Sequence, residues 1–410
     1  MDEETIVGID IGTSKICALV GRIEEEDQIR ILGVGIEPSH GMRKGAVVDI
    51  AAASRAITHA IDKAERTSGL EINSALVTLA GSQIQSMNNM GVSGISGRTI
   101  DQGDIMRAMD AARAVQIPQD QEVIHVIQRS YSVDGQDGIR SPIGMHGYRL
   151  EVEAHIITAS ASSVENLREC VNSAGVEVSQ FVLNSLAAGE IALSDAEREM
   201  GVVLCDIGGG TTDMAIYIEG DVWHTAVLSL GGDHISSDIA HGLRLATDQA
   251  ELIKRQHGHA GRNEISMEEI FTVRPFGDDV PARVSRADLA HIIGARTEEI
   301  FGMVLQEIKR SGYDGLLPAG LVLTGGSALL PGIRNLASRV LGMPVRVAYP
   351  ENLVGMVDQL DSPAYAASVG LLKWAMLMNE IALKPVRRRS IQVPGLNWEK
   401  VKGFLGRLLP

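Results

Sequence analysis

Positive charge is in short supply in this chain. Lys and Arg number 37 against 52 Asp and Glu, a formal net charge of −15. That argues against nucleic acid as the main partner, because binding to a phosphate backbone favours a basic surface. Cysteine is scarce as well. Cys17, Cys170 and Cys205 sit in apolar surroundings with no C-x-x-C spacing, so buried reduced thiols of a cytoplasmic protein are expected, and no zinc site. No run reaches the ~18–20 apolar residues that a membrane span needs; Lys373 and Glu380 interrupt the best candidate. The opening Met1-Asp2-Glu3-Glu4 is acidic and has neither the basic nor the apolar region of a signal peptide, so export is not expected. No G-x-x-x-x-G-K-[ST] occurs, which excludes a P-loop. A dinucleotide fingerprint fits poorly too, since Gly208-Gly209-Gly210 runs into Thr211-Thr212-Asp213 rather than to a third spaced glycine.

What is present is an ordinary globular composition, 45% hydrophobic and 22% charged, over 410 residues, long enough for at least two domains. Residues 201–217 carry the clearest local signal. The apolar run Val202 to Cys205 delivers Asp206. Gly208, Gly209 and Gly210 follow, then the hydroxyls of Thr211 and Thr212, and a second apolar run opens at Met214. The pattern is strand, tight turn, strand. Glycines let the turn take positive φ and let a bulky group approach its backbone, and successive free N–H groups in such a turn form a concavity for phosphate. A plain glycine-rich hairpin would look the same.

A second copy distinguishes the two. Near the N-terminus an apolar run delivers Asp10, then Ile11, Gly12, Thr13, Ser14 and Lys15, then another apolar run. Asp10-Ile11-Gly12 and Asp206-Ile207-Gly208 share a core, as two halves of a duplicated architecture facing across a cleft would. A nucleotide polyphosphate needs N–H donors on both sides, and carboxylates to hold Mg²⁺ through its waters, because that ion dehydrates reluctantly. Asp10 and Asp206 are the carboxylates expected to do this. A third turn, Thr324-Gly325-Gly326-Ser327, ends another buried-strand pattern, and its glycines leave room for a flat adenine or a ribose against the backbone.

The remaining pattern is α/β. Three short runs over residues 5–36, a helix at 50–68 closed by Gly69, and a strand at 74–80 begin the first half. From about residue 82 the character changes. An Asn/Gly/Ser-rich stretch, a helix at 102–115 capped by Asp101, and β-rich runs at 122–133 and 148–158 separate one strand of the first half from its next helix, at 162–174. Residues 82–160 are therefore expected to be an inserted α+β subdomain. The first core half is then 1–81 with 161–195. The second is 196–230 with 313–383, interrupted by a second insertion at 231–312 that holds helices near 234–245, 248–256 and 285–311. Composition shifts after residue 383. Residues 384–396 hold two prolines and four basic residues and suit a flexible basic linker. In residues 397–410, Trp398, Val401, Phe404, Leu405 and Leu408 fall on one helical face, with Lys400 and Arg407 elsewhere or at its margins. Such a helix suits a membrane interface with anionic lipid, each basic residue adding about 1 kcal/mol. A helix docked on its own globular body, or a disordered tail, would share the pattern.

The three turns together resemble the actin, Hsp70 and sugar-kinase superfamily, with two phosphate loops and an adenosine loop. The resemblance implies two ribonuclease-H-like α/β domains closing over ATP and Mg²⁺. In actin-like relatives a Glu and a Lys on a short helix touch the ribose, and Glu251 and Lys254 occupy such a helix here; most pairs of this kind are merely solvent-facing. With the 82–160 insertion and the C-terminal amphipathic stretch included, the whole chain resembles the FtsA family of bacterial cell-division actins. The family implies a filament-forming, ATP-binding adaptor at the cytoplasmic face of the inner membrane, at the septum. It would bind the C-terminal peptide of FtsZ on the second insertion, and itself or later division proteins on the first. One departure bears on chemistry. Active relatives often place a Glu before the helix that links the halves, and Asn184 stands there instead. An amide cannot serve as a general base, so at most a weak ATPase is expected. A small-molecule kinase of the same superfamily is the alternative, although it leaves the C-terminal helix unexplained. An Hsp70-type chaperone would need a peptide-binding domain, and too few residues remain for one.

Overall fold

Each half is a mixed sheet built around a hairpin. The computed structural model describes residues 5–24, 28–95, 97, 99–277 and 280–383, with side chains up to residue 377. The chain divides into residues 1–375 and 376–410. Of the second unit only 376–383, the end of the last helix, is described, so the basic linker at 384–396 and the amphipathic stretch at 397–410 lie outside the described residues.

In the first half, strands Thr5–Ile11 and Lys15–Ile23 pair antiparallel, and Ser74–Leu79 lies parallel to the first of them. The six-stranded sheet is completed by Glu177–Leu183 on one side and by Ile29–Pro38 and Leu353–Gly355 on the other. Helix Ile50–Ser68 covers it, burying Ala53, Ala56, Ile57, Ala60, Ile61 and Ala64. Asp49 caps its start, and Gly69, at φ 71°, ends it in the left-handed region. The helix packs close because Gly35 has no Cβ: one added there would overlap the Ala60 carbonyl oxygen.

The second half is a five-stranded sheet in the order Asp221–Leu228, Thr212–Ile218, Val202–Ile207, Leu321–Thr324, Val345–Val347. Every residue of Val202–Ile207 and Thr212–Ile218 is buried. Both faces are covered, so these strands run apolar without the alternation of a half-exposed sheet. The 231–312 segment holds helices Gly232–Leu243, Thr247–His257 and Arg286–Ser311 and a small hairpin, Ile270–Val273 with Ala282–Ser285. The long helix starts at the Ser285 cap and ends at Gly312, φ 81°. Within it, a Cβ at Gly302 would meet nothing within 4 Å. Gly302→Ala is therefore expected to stabilise the protein by about 0.5–1 kcal/mol, read as a higher denaturant midpoint at unchanged slope.

Residues 84–160 form their own antiparallel sheet, ordered Ile84–Gly94, Arg149–Ser160, Gln121–Val133, Gln136–Ile139, with helix Gln102–Arg113 against it. The sheet leans on the second half as well as on the first. His155 is buried between Asn88 (2.7 Å) and the Thr225 hydroxyl (2.9 Å), and Ser86 donates to the Thr225 carbonyl at 2.9 Å. Arg129, 5% exposed, lies 4.5 Å over the Trp223 ring and donates to Glu153 (2.8 Å) and to the Tyr313 hydroxyl (3.2 Å).

The structure differs from the sequence expectations in several places. The Asn/Gly/Ser-rich stretch is an eleven-residue edge strand, Ile84–Gly94. Beyond the third turn the chain makes a 3-10 turn at Gly326–Leu329 before helix Ile333–Leu341 begins. Leu353–Gly355 and the start of the last helix, assigned by sequence to the second half, belong with the first sheet. The strand pairs with Ile29–Pro38, and a Cβ on Gly8 would come within 2.9 Å of Leu371. A three-residue strand is too short to show a period, and its partner lies more than 300 residues away.

Candidate functional site

Each of the two sheet hairpins ends its first strand on a buried carboxylate. In the first, Asp10 is the penultimate residue of Thr5–Ile11, and the turn is closed by Gly12 N–H donating to the Lys15 carbonyl at 3.0 Å. Asp10 is held from three directions. The Thr78 hydroxyl donates to Oδ1 at 3.0 Å, the Ser368 hydroxyl to Oδ2 at 2.6 Å, and the Lys15 ammonium stands 3.3 Å from Oδ2. Thr78 also accepts from the Ile11 N–H at 2.9 Å, which locks the strand end to its neighbour.

In the second hairpin Asp206 lies opposite Asp213 across the ladder. Gly208 N–H closes the turn on the Thr211 carbonyl at 2.9 Å, and the Thr211 hydroxyl donates to Asp213 Oδ2 at 2.8 Å. The glycines let the two turns meet: a Cβ on Gly209 would overlap the Ser14 hydroxyl, and one on Gly210 would lie 3.0 Å from the Lys44 backbone. Helix Gly232–Leu243 opens directly behind this turn. Its Gly232 and Asp233 N–H groups donate to the carbonyls of Gly208 and Gly209, both at 2.9 Å.

The third turn follows strand Leu321–Thr324, whose Thr324 pairs in register with Asp206. Gly325 takes φ 85°, and a Cβ there would overlap Asp206 Oδ1 and come within 2.6 Å of the Ile207 carbonyl oxygen. Only glycine fits both conditions. Ser327 donates to the Gly208 carbonyl at 3.3 Å, tying the third turn to the second.

The three turns open on one cleft of about 540 Å³. Asp10, Gly12, Thr13, Ser14 and Lys15 line it from the first half. Asp206, Gly208, Gly209, Gly210, Thr211, Gly325, Gly326 and Ser327 line it from the second, and Glu251 and Lys254 from the 231–312 segment. Thr212 is the exception. It is fully buried and its hydroxyl donates to the Leu230 carbonyl at 2.8 Å. Strand side chains alternate between faces, so where Thr211 and Asp213 face the cleft, Thr212 faces away. Glu251 and Lys254 are more than a surface pair. The ammonium is 2.6 Å from Glu251 and donates to the Gly232 carbonyl and the Ser236 hydroxyl, both at 2.9 Å, while Arg255 holds the other Glu251 oxygen at 2.8 Å.

The sequence reading missed Asp213, Thr78, Ser368 and Asp233. Asp213 is the most consequential. It is 1% exposed, lines the cleft, and its Oδ1 has no hydrogen-bond partner. Burial, with Asp206 beside it, pushes its carboxyl up to about 8. Burial, with Asp10 nearby, pushes Asp206 up to about 7, against the opposing effects of Lys15 and of a hydrogen bond from Asn184. Asn184 thus stands in the cleft beside Asp206, as the start of helix Asn184–Ala192. Carboxylates in this state need cationic charge beside them. Among the described residues no three His, Cys, Asp or Glu side chains converge closely enough to ligate a bare metal ion. Spaced carboxylates and an orphaned oxygen fit instead an ion that keeps its waters, as Mg²⁺ does.

Comparison with known proteins gives this geometry its family. The model for "Cell division protein FtsA" matches residues 203–370, and that for "SHS2 domain inserted in FTSA" matches residues 81–158. The chain is 42% identical over 371 residues to the cell division protein FtsA of Pseudomonas aeruginosa, covering 90% of this chain and 89% of that one. With FtsA of Bacillus subtilis it shares 42% over 376 residues, 91% and 84% of the two chains, and with FtsA of Escherichia coli K12 35% over 380 residues, 91% and 90%. Among solved structures it is similar to the PilM-PilN type IV pilus biogenesis complex, at 16% identity and TM-score 0.63 over 90% of this chain and 98% of the other. It is also similar to MreB5 of Spiroplasma citri bound to ADP, at 15% identity and TM-score 0.58 over 93% and 100%. At such identities those likenesses show the fold, which is actin-like. The chain belongs to the FtsA family of cell division proteins.

Proposed function

We propose that this protein is an ATP-binding, filament-forming adaptor that tethers FtsZ to the cytoplasmic membrane and recruits later division proteins at the septum. The observation that carries the nucleotide part is the convergence of Asp10 and Asp206, on opposite walls, with three glycine turns on one cleft. MreB5 of Spiroplasma citri, similar in fold, has been solved with ADP and with AMPPNP. In this chain the backbone of Gly12 to Ser14 and of Gly208 to Gly210 would take the phosphates. Gly325, Gly326 and Ser327 would take the adenosine, and Glu251 and Lys254 the ribose. Asp10 and Asp206 would hold Mg²⁺ through its waters, with Asp213 as a third acceptor; when bound, the ion would neutralise the phosphates. Asn184 can donate a hydrogen bond to Asp206 but cannot take a proton from water, which favours slow turnover and a nucleotide that acts as an assembly switch. Membership of the FtsA family favours the adaptor over a small-molecule kinase.

The two inserted segments divide the partners in this proposal. Residues 231–312 receive the C-terminal peptide of FtsZ; residues 82–160 serve self-association and later partners. Residues 397–410 bind anionic lipid through Trp398, Val401, Phe404, Leu405 and Leu408, helped by Lys400 and Arg407, weakly per copy and additively along a filament. Vesicle co-sedimentation tests this. With Mg-ATP and anionic vesicles the full chain is expected to pellet and to carry FtsZ with it. Removing residues 396–410 should leave both in the supernatant without changing nucleotide affinity. Equal pelleting after the deletion rules out the anchor, and pelleting of the chain without FtsZ rules out the tether.

A further inference from the structure

The cleft is poor in cations for a polyphosphate site. Asp10, Asp206, Asp213, Asp233 and Glu251 line it, against Lys15, Lys254 and Arg255. All three cations are committed to carboxylates, Lys15 to Asp10 and both others to Glu251. A triphosphate brings more negative charge, so a further cation beyond the metal should lie within reach of its far end.

The hairpin Met42–Arg43 with Ala46–Val47 supplies one. Its base is fixed, with the N–H groups of Val48 and Asp49 donating to the Gly41 carbonyl at 2.8 and 3.1 Å. Its tip is wedged between loops of both halves. Gly45 N–H donates to the Thr13 hydroxyl of the first turn at 3.2 Å, and a Cβ on Gly45 would lie 2.7 Å from Gly81. On the other side a Cβ on Gly210, in the second half, would lie 3.0 Å from the N and Cα of Lys44. Backbone therefore packs on backbone where the halves meet, and Gly45 itself lines the cleft. Lys44 and Gly45 form this tip at φ 51° and 76°, the left-handed pair that a tight two-residue hairpin turn requires. The Lys44 side chain is exposed and pairs with no carboxylate among the described residues. Its charge reaches the second half: after burial, Lys44 is the main influence holding the His234 imidazole below its ordinary value.

We propose that Lys44 is a positioning residue that crosses the cleft mouth to the terminal phosphate of a bound nucleoside triphosphate, and that the 42–47 hairpin thereby latches the two halves in the triphosphate state. This rests on the nucleotide reading of the cleft. A phosphate one unit shorter ends further from the tip, so the lysine distinguishes triphosphate from diphosphate. A charge-assisted contact of this kind is worth about tenfold in affinity.

The test is a titration of the full chain with Mg-ATP and with Mg-ADP, read by displacement of a fluorescent nucleotide. Lys44→Ala is expected to weaken Mg-ATP about tenfold and Mg-ADP less than about threefold, and Lys44→Arg to retain both. The exposed side chain makes an unchanged thermal midpoint without nucleotide the expected control. Equal weakening of both nucleotides, no change in either, or the same loss from Arg43→Ala overturns the assignment. Failure of the unsubstituted chain to bind either nucleotide overturns it too, but through the cleft rather than the lysine.

Discussion

Asp206→Asn is expected to raise the thermal midpoint of the nucleotide-free protein at pH 8 while reducing Mg-ATP affinity by about a hundredfold. The two effects have one origin. Burial and the neighbouring Asp10 raise the Asp206 carboxyl from 3.8 to about 7. The native state thus retains a proton that the unfolded chain has already released. Stability is greatest below the unfolded value and declines as pH rises through the folded one, a window from about 4 to about 7 for Asp206 and to about 8 for Asp213. At pH 8 Asp206 is ionised and Asp213 about half so, and their charge strains the cleft. The amide removes one charge, keeps its shape and can still accept from Asn184. The expected gain is about 2 kcal/mol, or about 2 °C for a chain of this length. At pH 5, where the native carboxyl is protonated, most of the gain should vanish. Scanning calorimetry at the two pH values, with nucleotide titration alongside, checks this. A lower midpoint at pH 8 would mean that the ionised carboxylate stabilises the nucleotide-free cleft and that repulsion between the aspartates does not strain it.

Gly325→Val should be the most damaging single change near the site. A β-branched side chain is strongly disfavoured at φ 85°, and its Cβ would overlap Asp206 Oδ1 and press on the Ile207 carbonyl. Strain and overpacking together are expected to cost about 3–5 kcal/mol. Nucleotide binding should be lost even in the folded fraction, because Asp206 must shift. Gly315→Ala is the matched comparison, with no neighbour within 4 Å and no positive φ, and should change the midpoint little. Urea unfolding of the two variants separates site geometry from a general intolerance of change at glycine.

The repeated Asp-Ile-Gly made Asp10 and Asp206 legible because two local turns each carry their own chemistry in a few consecutive letters. Asp213 was legible in principle. A tight turn that closes Gly208 on Thr211 forces residue 213 opposite residue 206, and the same count turns Thr212 away. Thr78 and Ser368 were not legible. They meet Asp10 from 68 and 358 residues away, and nothing in their surroundings marks one hydroxyl over another. Helices such as Ile50–Ser68 declared themselves through a one-sided apolar face and a closing glycine. Ile84–Gly94 did not, since two of its buried positions are Gly91 and Ser93, which carry no apolar signal from which a period could be read. The Lys44 hairpin escaped notice because its significance lies in which backbones it touches.

The Arg129 clasp has a consequence for biosynthesis. Its aromatic slot is made by Trp223 and Tyr313, and His155 depends on Thr225. A ribosome releases the 84–160 sheet well before Trp223 emerges, and long before Tyr313. Until then a guanidinium destined for burial must stay hydrated, and the nascent sheet has an unfinished side. Domain-by-domain folding from the N-terminus can therefore build the sheet's own core but not complete its Arg129 side, which closes only once Tyr313 has been translated.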